Sequence, residues 1–498
     1  MVHVPLLLVY TLYLSRDDHV FFASIKIIMR SLFSLSALRP FHVRDSRPAM
    51  VTRRWNSHYQ NHTKGYQAMG SFHSDDVDML MAQSDAVYKP PPLPFEGTVE
   101  TDHDFLIDRQ RWTFLNHGAF GGALKVGYDR AEQWRLHLER QPLRYFDRDL
   151  LPHLVYSARR LADFTGASRE ATTLIPNVTY GLNTVLRGYT RVLGNQAHIV
   201  LWDTSYGSLK KMAHQLCNRV TEIPLSKYLD KAKNLENPNE IFAMALSDTL
   251  GNMDCHNALL VLDQTTSNTA INMPLHSLST LAKELGMLVL VDGAHGLLAQ
   301  PVQLSNLPNV DFYLANGHKW LSCPRGIGLL YCPSAEWRDT ILEEPAVMSH
   351  GIGQGFQSRF LWDGCRDYAA ALSVPAVLDY WQARGVDQVQ ASLATKLYAA
   401  VHLLGQAWHG HADDVTLVPL ELHAPMMALV RLPPGLQRLP AATSDDAKRI
   451  QDFLFDHFIE VPIKCINGVL YVRISAHVYN DLEEYSRLAK VILDYATK

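Results

Sequence analysis

The sequence predicts an α/β fold: a large domain on a mainly parallel central sheet, followed by a smaller α+β C-terminal domain. Three observations carry that prediction. Between about residues 145 and 335, short β-rich runs alternate with helical patterns, as in parallel sheets with crossover helices. The runs are almost wholly apolar, as strands buried on both faces are. Beyond about residue 370 the texture changes to long helical patterns with two isolated strand-like stretches.

Taken in order, the expected strands of the large domain are HIVLW (198–202), ALLVLD (258–263), MLVLVD (287–292), VDFYLA (310–315) and GIGLLYC (326–332). HSLSTLAKELG (276–286) between the second and third is an amphipathic helix closed by a glycine stop. In the C-terminal part, AALSVPAVLDYWQ and ATKLYAAVHLLGQAW read as helices. MMALVRL (426–432) and GVLYVRIS (468–475) read as strands, and DLEEYSRLAKVILDYA as a closing helix. The expected organisation is a leader over 1–95, an N-terminal arm of the small domain over 96–145, the large domain over 146–370 and the C-terminal small domain over 371–498.

The chain has 498 residues, enough for two or three domains. Its formal charge of −4 gives no basic field for nucleic acid. Six cysteines without a CxxC pair argue against a disulfide framework or structural zinc site, and no metal is expected. Val4–Leu14 is apolar but too short to span a bilayer, and it lacks the positive flank of a signal peptide, so no membrane partner is expected. Val20 to Lys64 carries eight Lys/Arg against one acid, Asp45, and is serine-rich, like an organelle transit peptide. Met29 and Met50 offer the other reading, an untranslated or disordered leader, so a mitochondrial and a cytoplasmic location both stay open. KPPPLP (89–94) reads as a stiff linker into the folded part.

In an open α/β sheet, ligands sit beyond the carboxyl ends of the strands. The residues there are Asp203–Tyr206, Asp263–Ser267, Asp292–His295 and Asn316–Lys319. Asp292 ends an apolar strand in VDGAH, where a lone carboxylate needs a partner. Lys319 follows the next strand in NGHKW. An acid and a lysine at neighbouring strand tips fit a pyridoxal 5'-phosphate (PLP) site, in which the lysine holds the cofactor aldehyde and the acid keeps the pyridine nitrogen protonated. Spacing alone leaves a surface lysine in a turn equally open.

Seven further stretches resolve that choice: FLNHGAFGG (114–122), LIPNVTYGLNTVLRG (174–188), LVLDQTTSNTAINMP (260–274), LVLVDGAHG (288–296), NGHKWLSCPRGIGLLY (316–331), SRFLWDGCRDY (358–368) and YVRISAHVYN (471–480). Together and in this order they resemble the class V aminotransferase superfamily (PLP-dependent transferase fold type I), and most closely its isopenicillin N epimerase-like and cysteine desulfhydrase-like branch. The resemblance implies PLP as cofactor, with Lys319 as the Schiff-base lysine and Asp292 as partner of the pyridine nitrogen. It further implies that His295 faces the phenolic oxygen, that Tyr206 stacks on the ring, and that Asn177, Val178, Thr179 and His318 bind phosphate. Arg473, a charge inside a strand-like run, becomes the clamp on the substrate α-carboxylate, a planar task suited to a guanidinium. Asn116 and His117 would line the substrate mouth. Fold type I sites are built at a dimer interface, so a homodimer is expected, with Arg366 near the partner's cofactor.

One departure stands out. Where the family commonly reads TGTRD, this chain reads Asp363-Gly364-Cys365-Arg366-Asp367. A thiol donates weakly, which puts the cross-subunit phosphate contact in doubt. As to reaction, a C–S lyase or cysteine desulfhydrase acting on a small amino-acid substrate needs only Lys319 as Cα base. A persulfide-forming desulfurase needs a cysteine on a loop over the site, and Cys465 is read instead as packing. An epimerase needs a second acid/base on the opposite ring face, and none announces itself. Transamination and a catalytically lapsed PLP-fold protein are the remaining alternatives, the latter disfavoured by the intact Lys319, Asp292, His295 and Arg473.

Overall fold

A computed structural model describes residues 77–93, 104–251, 253–437 and 441–497. The basic stretch from Val20 to Lys64 and its targeting reading lie outside the described residues.

After the two-residue strand β1 (Thr113–Phe114), the chain lays down seven strands of one sheet: β2 (Thr172–Ile175), β3 (Ile199–Trp202), β4 (Val220–Ile223), β5 (Leu259–Asp263), β6 (Leu288–Gly293), β7 (Phe312–Asn316) and β8 (Gly328–Tyr331). Their spatial order is β2-β8-β7-β6-β5-β3-β4. The block from β4 to β7 is parallel throughout, and β8 turns back antiparallel between β7 and β2.

The sheet is buried on both faces, and side-chain alternation divides its strands between two cores. In β6, Leu288 and Leu290 pack into one core with Leu182, Val185 and Leu186 of the helix Val178–Leu193. Val289 and Val291 pack into the other, with the helices Lys125–Arg140, Leu150–Phe164 and Val374–Arg384. Covered on both sides, such strands carry no polar face, which is why they are legible as apolar runs.

The C-terminal part holds β9 (Met427–Arg431), β10 (Ile459–Glu460), β11 (Ile463–Ile466) and β12 (Val469–Ser475). β11, β12 and β9 form an antiparallel sheet, and β10 pairs in parallel with β1. The turn between β11 and β12 is Asn467–Gly468, both with positive φ (49° and 77°), the backbone that an Asn-Gly hairpin turn favours. One face of this sheet (Ile463, Leu470, Val472, Ile474) builds a separate core with the helices Val386–His409 and Leu482–Ala496. The last helix opens on a capping box, with Asp481 accepting from the Glu484 amide and Glu484 reciprocating.

One expectation is corrected. The leader expected to run to residue 95 gives way to folded chain by Val77. The helix Val77–Ala82 buries Val77 and Met81, one turn apart. Arg159 donates to the carbonyls of Leu80, Met81 and Gln83 at 2.8–3.2 Å, and Asp78 caps the amides of Phe356 and Gln357. Two apolar residues at helical spacing and these polar contacts dock the segment, a signal obscured in the sequence by its polar surroundings.

Candidate active site

Register sets the site. β5 and β6 pair in parallel with Asp263 opposite Asp292, and β7 runs beside them to Asn316, three residues before Lys319. Asp292 is buried, and its Oδ1 accepts from the Ala294 amide at 3.0 Å. Burial raises its pKa, while the positive charge of Lys319 pulls the other way. Asp263, which the sequence marked only as a strand end, is a second buried acid. Its Oδ2 accepts from Ser205 Oγ at 2.6 Å, and burial, then the charge of Asp292, push its pKa up to about 7.

Lys319 Nζ lies 3.0 Å from His295 Nε2. The indole N–H of Trp320 donates to His295 Nδ1 at 3.2 Å. Because that nitrogen accepts, the proton of the neutral imidazole sits on Nε2, facing the lysine. Only an uncharged amine has a lone pair to receive it. Burial and the neighbouring Arg473 lower the lysine pKa, Asp292 opposes them, and the balance stands at about 8. A lysine lowered toward the working pH supplies more of the neutral amine that attack on a carbonyl requires.

Arg473 rises from the middle of β12 and is 4 % exposed. It donates to the Ser267 carbonyl and, at 3.1 Å, to Asn116 Oδ1, while its Nε has no partner. No carboxylate pairs with it among the described residues, and burial lowers its pKa to about 10. Asn116 also donates to Glu460 Oε1 at 3.1 Å, so it spaces the acid from the guanidinium.

His117 does not line the mouth. It is fully buried behind Lys319, its Nε2 3.1 Å from the Lys319 carbonyl and its Nδ1 2.8 Å from the Tyr479 hydroxyl. Its ring stacks on His477 at 3.9 Å, and burial drops its pKa to about 3. The NHG pattern therefore braces the backbone of the lysine turn. His477, Trp320 and Tyr479 in this brace were missed as a group, because none carries a charge that marks it in the sequence.

At the start of the helix Val178–Leu193, Asn177 caps the Tyr180 amide at 2.9 Å, and the Val178 amide is taken by Asn316 Oδ1 at 3.0 Å. Thr179 is exposed, and its amide and hydroxyl have no partner among the described residues. Tyr206 is 46 % exposed after β3. The buried Thr204 Oγ1 and His318 Nδ1 also lack partners, and burial lowers the His318 pKa to about 4. Arg366 pairs with Asp363 and lies over the Tyr368 ring at 4.2 Å. The acid in the departing motif is thus neutralised within its own loop.

These features suit PLP: a buried carboxylate awaits a cation, a lysine of lowered pKa stands nearby, and a helix N-terminus offers a free amide and hydroxyl to an anion. Arg473 Nε, Thr204 Oγ1 and His318 Nδ1 are buried polar atoms without partners among the described residues. Asp292, Lys319, His295, Tyr206, Thr179 and His318 would hold such a cofactor.

The acid pair has a measurable consequence in the cofactor-free protein. With a folded pKa of about 7, above the usual carboxylate value of about 4, Asp263 keeps a proton that the unfolded chain releases. Stability conferred by this group is present below pH 4 and is lost as pH rises through 7. Asp263→Asn should remove up to about 1.4 kcal/mol per pH unit of that decline. Urea unfolding at pH 5 and pH 7.5 measures it, and an unchanged slope would refute the assignment.

Comparison with known proteins agrees with the geometry. The family model of class-V aminotransferases matches residues 153–409, just over half of the chain. An L-cysteine desulfhydrase of Arabidopsis thaliana is 25% identical over 423 residues, covering 79% of this chain and 90% of the relative. An isopenicillin N epimerase of Amycolatopsis lactamdurans is 28% identical over 395 residues, covering 76% and 94%. Among solved structures, a cystine C–S lyase in complex with its product cysteine persulfide superposes with a TM-score of 0.61 at 19% identity, covering 77% of this chain and 97% of that one. With the type I fold, the lysine–carboxylate pair and the family match in agreement, this chain belongs to the class-V aminotransferases and is a PLP-dependent enzyme.

Proposed function

We propose that the protein is a C–S lyase of the cysteine desulfhydrase type, releasing a sulfur-bearing group from Cβ of a cysteine-like amino acid. The observation that carries the reading is the direction of Cys465. On β11 it shares a face with Ile463 and packs into the C-terminal core, its Sγ donating to the Ala442 carbonyl at 3.2 Å. Arg473 lies on the opposite face of the same sheet. A thiol turned away from the cleft cannot receive sulfur there, which removes Cys465 as a persulfide carrier and favours departure of the sulfur to solution. Relatives named L-cysteine desulfhydrase support the same choice.

The division of labour follows from the geometry. Bound PLP supplies an electron sink for the charge that develops at Cα. Arg473, with its unpartnered Nε and no acid of its own, binds the α-carboxylate and fixes the amino acid in the cleft. Lys319 Nζ, oriented by His295, takes the Cα proton; its neutral fraction grows as pH rises through about 8. Asp292 would supply the negative charge for the ring nitrogen, and Tyr206 would supply an aromatic face for the ring. The Cβ–S bond breaks with its electron pair leaving on sulfur, and the remaining fragment hydrolyses to keto acid and ammonia. Elimination needs this one base on one face. The epimerase reading would require a second proton donor opposite Lys319.

The purified enzyme should therefore convert a cysteine derivative to thiol or sulfide, pyruvate and ammonia. Borohydride should fix the cofactor on Lys319. Lys319→Ala should lose both the adduct and nearly all turnover, while Cys465→Ser keeps product release. An intact, inverted amino acid carrying deuterium at Cα after reaction in D2O, with no keto acid, would establish the epimerase instead.

Losing the bidentate clamp should cost about 2–5 kcal/mol in transition-state binding. Arg473→Lys should lower kcat/KM accordingly with the resting cofactor spectrum unchanged; loss of the cofactor itself would make Arg473 structural.

We also infer a homodimer, supported by the exposed Phe120, Leu143 and Met348 and by the 363–367 loop bearing Arg366. A monomer of full activity in sedimentation would overturn it.

A further inference from the structure

The β11–β12 hairpin carries a second cation on the face that bears Arg473. Alternation along β11 sends Ile463 and Cys465 to the C-terminal core and Lys464 and Ile466 to the other side, where Ile466, Val469 and Tyr471 pack with the core of the large sheet. Lys464 pairs in register with Tyr471, and Arg473 stands two residues further along β12 on that same face. The two cations are diagonal cross-strand neighbours, roughly 7–8 Å apart at the backbone. The hairpin is held against the large domain at both ends of this face, by Asn467 donating to the Ser226 carbonyl at 3.0 Å and by Arg473 donating to that of Ser267.

Lys464 is half-buried and has neither a hydrogen-bond nor an ion-pair partner among the described residues. Nearby acids are engaged elsewhere or exposed. Glu460 is bonded to Asn116 and Asp414 pairs with Lys233, while Asp230 is exposed and makes no ion pair with Lys464. Burial, then the charge of Arg473, lower the Lys464 pKa to about 8 with no acid opposing them. Two partly desolvated cations side by side repel each other, and folding alone gives no reason to keep both. Two anions brought by a ligand would relieve them.

We propose that Lys464 is a specificity-determining residue that receives a second carboxylate of the substrate, so that the preferred class is cysteine S-conjugates whose sulfur substituent ends in a carboxylate, rather than cysteine itself. The proposal rests on the reading of Arg473 as clamp for the α-carboxylate. It deepens the lyase assignment without depending on which bond breaks.

The test uses ligands without an amino group, which cannot react with the cofactor. Isothermal titration of the holoenzyme at pH 7 with hexanedioate and with hexanoate compares two carboxylates with one on the same chain length. The dianion should bind about tenfold or more tightly, the gain expected of one hydrogen bond between charged groups. Lys464→Met should bring the ratio of the two Kd values toward one, and Lys464→Arg should retain it. Equal binding of both ligands by the wild type, or a ratio unmoved by Lys464→Met, would overturn the proposal. Release of keto acid from S-(2-carboxyethyl)cysteine and S-propylcysteine is scored separately. If neither yields product while the Kd ratio still depends on Lys464, the lyase reading fails and the second carboxylate site stands.

Discussion

The parallel register of β5, β6 and β7 is the constraint on which the site depends. Because the three strands end at one edge, their terminal residues face a common cleft, and each strand is locked by packing on both faces. Slipping one strand by a residue would bury its charged tip in a core. The acid pair and the lysine turn therefore hold their spacing without support from one another. The brace of His117, His477 and Tyr479 adds the remaining rigidity by fixing the carbonyl of Lys319 from behind.

Electrostatically the cleft is unfinished. Asp263 and Asp292 are two carboxyls where burial tolerates one charge, and Arg473 and Lys464 are two cations without an acid. A protein interior normally neutralises its charges internally. Here the acid pair lies at the sheet edge, and Arg473 reaches the same region from the hairpin that also bears Lys464. A zwitterionic cofactor–substrate pair, cationic at the ring nitrogen and anionic at its carboxylates, is its complement.

Much of this was legible in the sequence, for reasons that differ by element. The inner strands appear as apolar runs because neither face meets water. β4 (VTEI) was not recognised, since an edge strand only half-buried carries a mixed pattern, and β2 (TTLI) opens on two threonines that interrupt the apolar run. Asp292 and Arg473 were visible as charges in apolar surroundings, and Lys319 through the family resemblance of its NGHKW stretch. Asp263 was equally visible as a residue, yet its role emerges only from the strand beside it, which no one-dimensional pattern reports. His117 was misplaced because burial of a histidine depends on its stacking partners. The Asn467–Gly468 turn was available as a hairpin signal, and with it the face of Lys464 could have been read by counting alternate residues.

That turn has a further consequence. In a hairpin the turn sets which residues stand opposite one another, and a shift of one position exchanges every side chain between the two faces. Lys464 and Cys465 are adjacent. The positive-φ pair at the tip thus decides whether an amine or a thiol stands on the face that bears Arg473. A single inserted or deleted residue in β11 would be a route between two chemistries on one scaffold, with no change to the cofactor site at all.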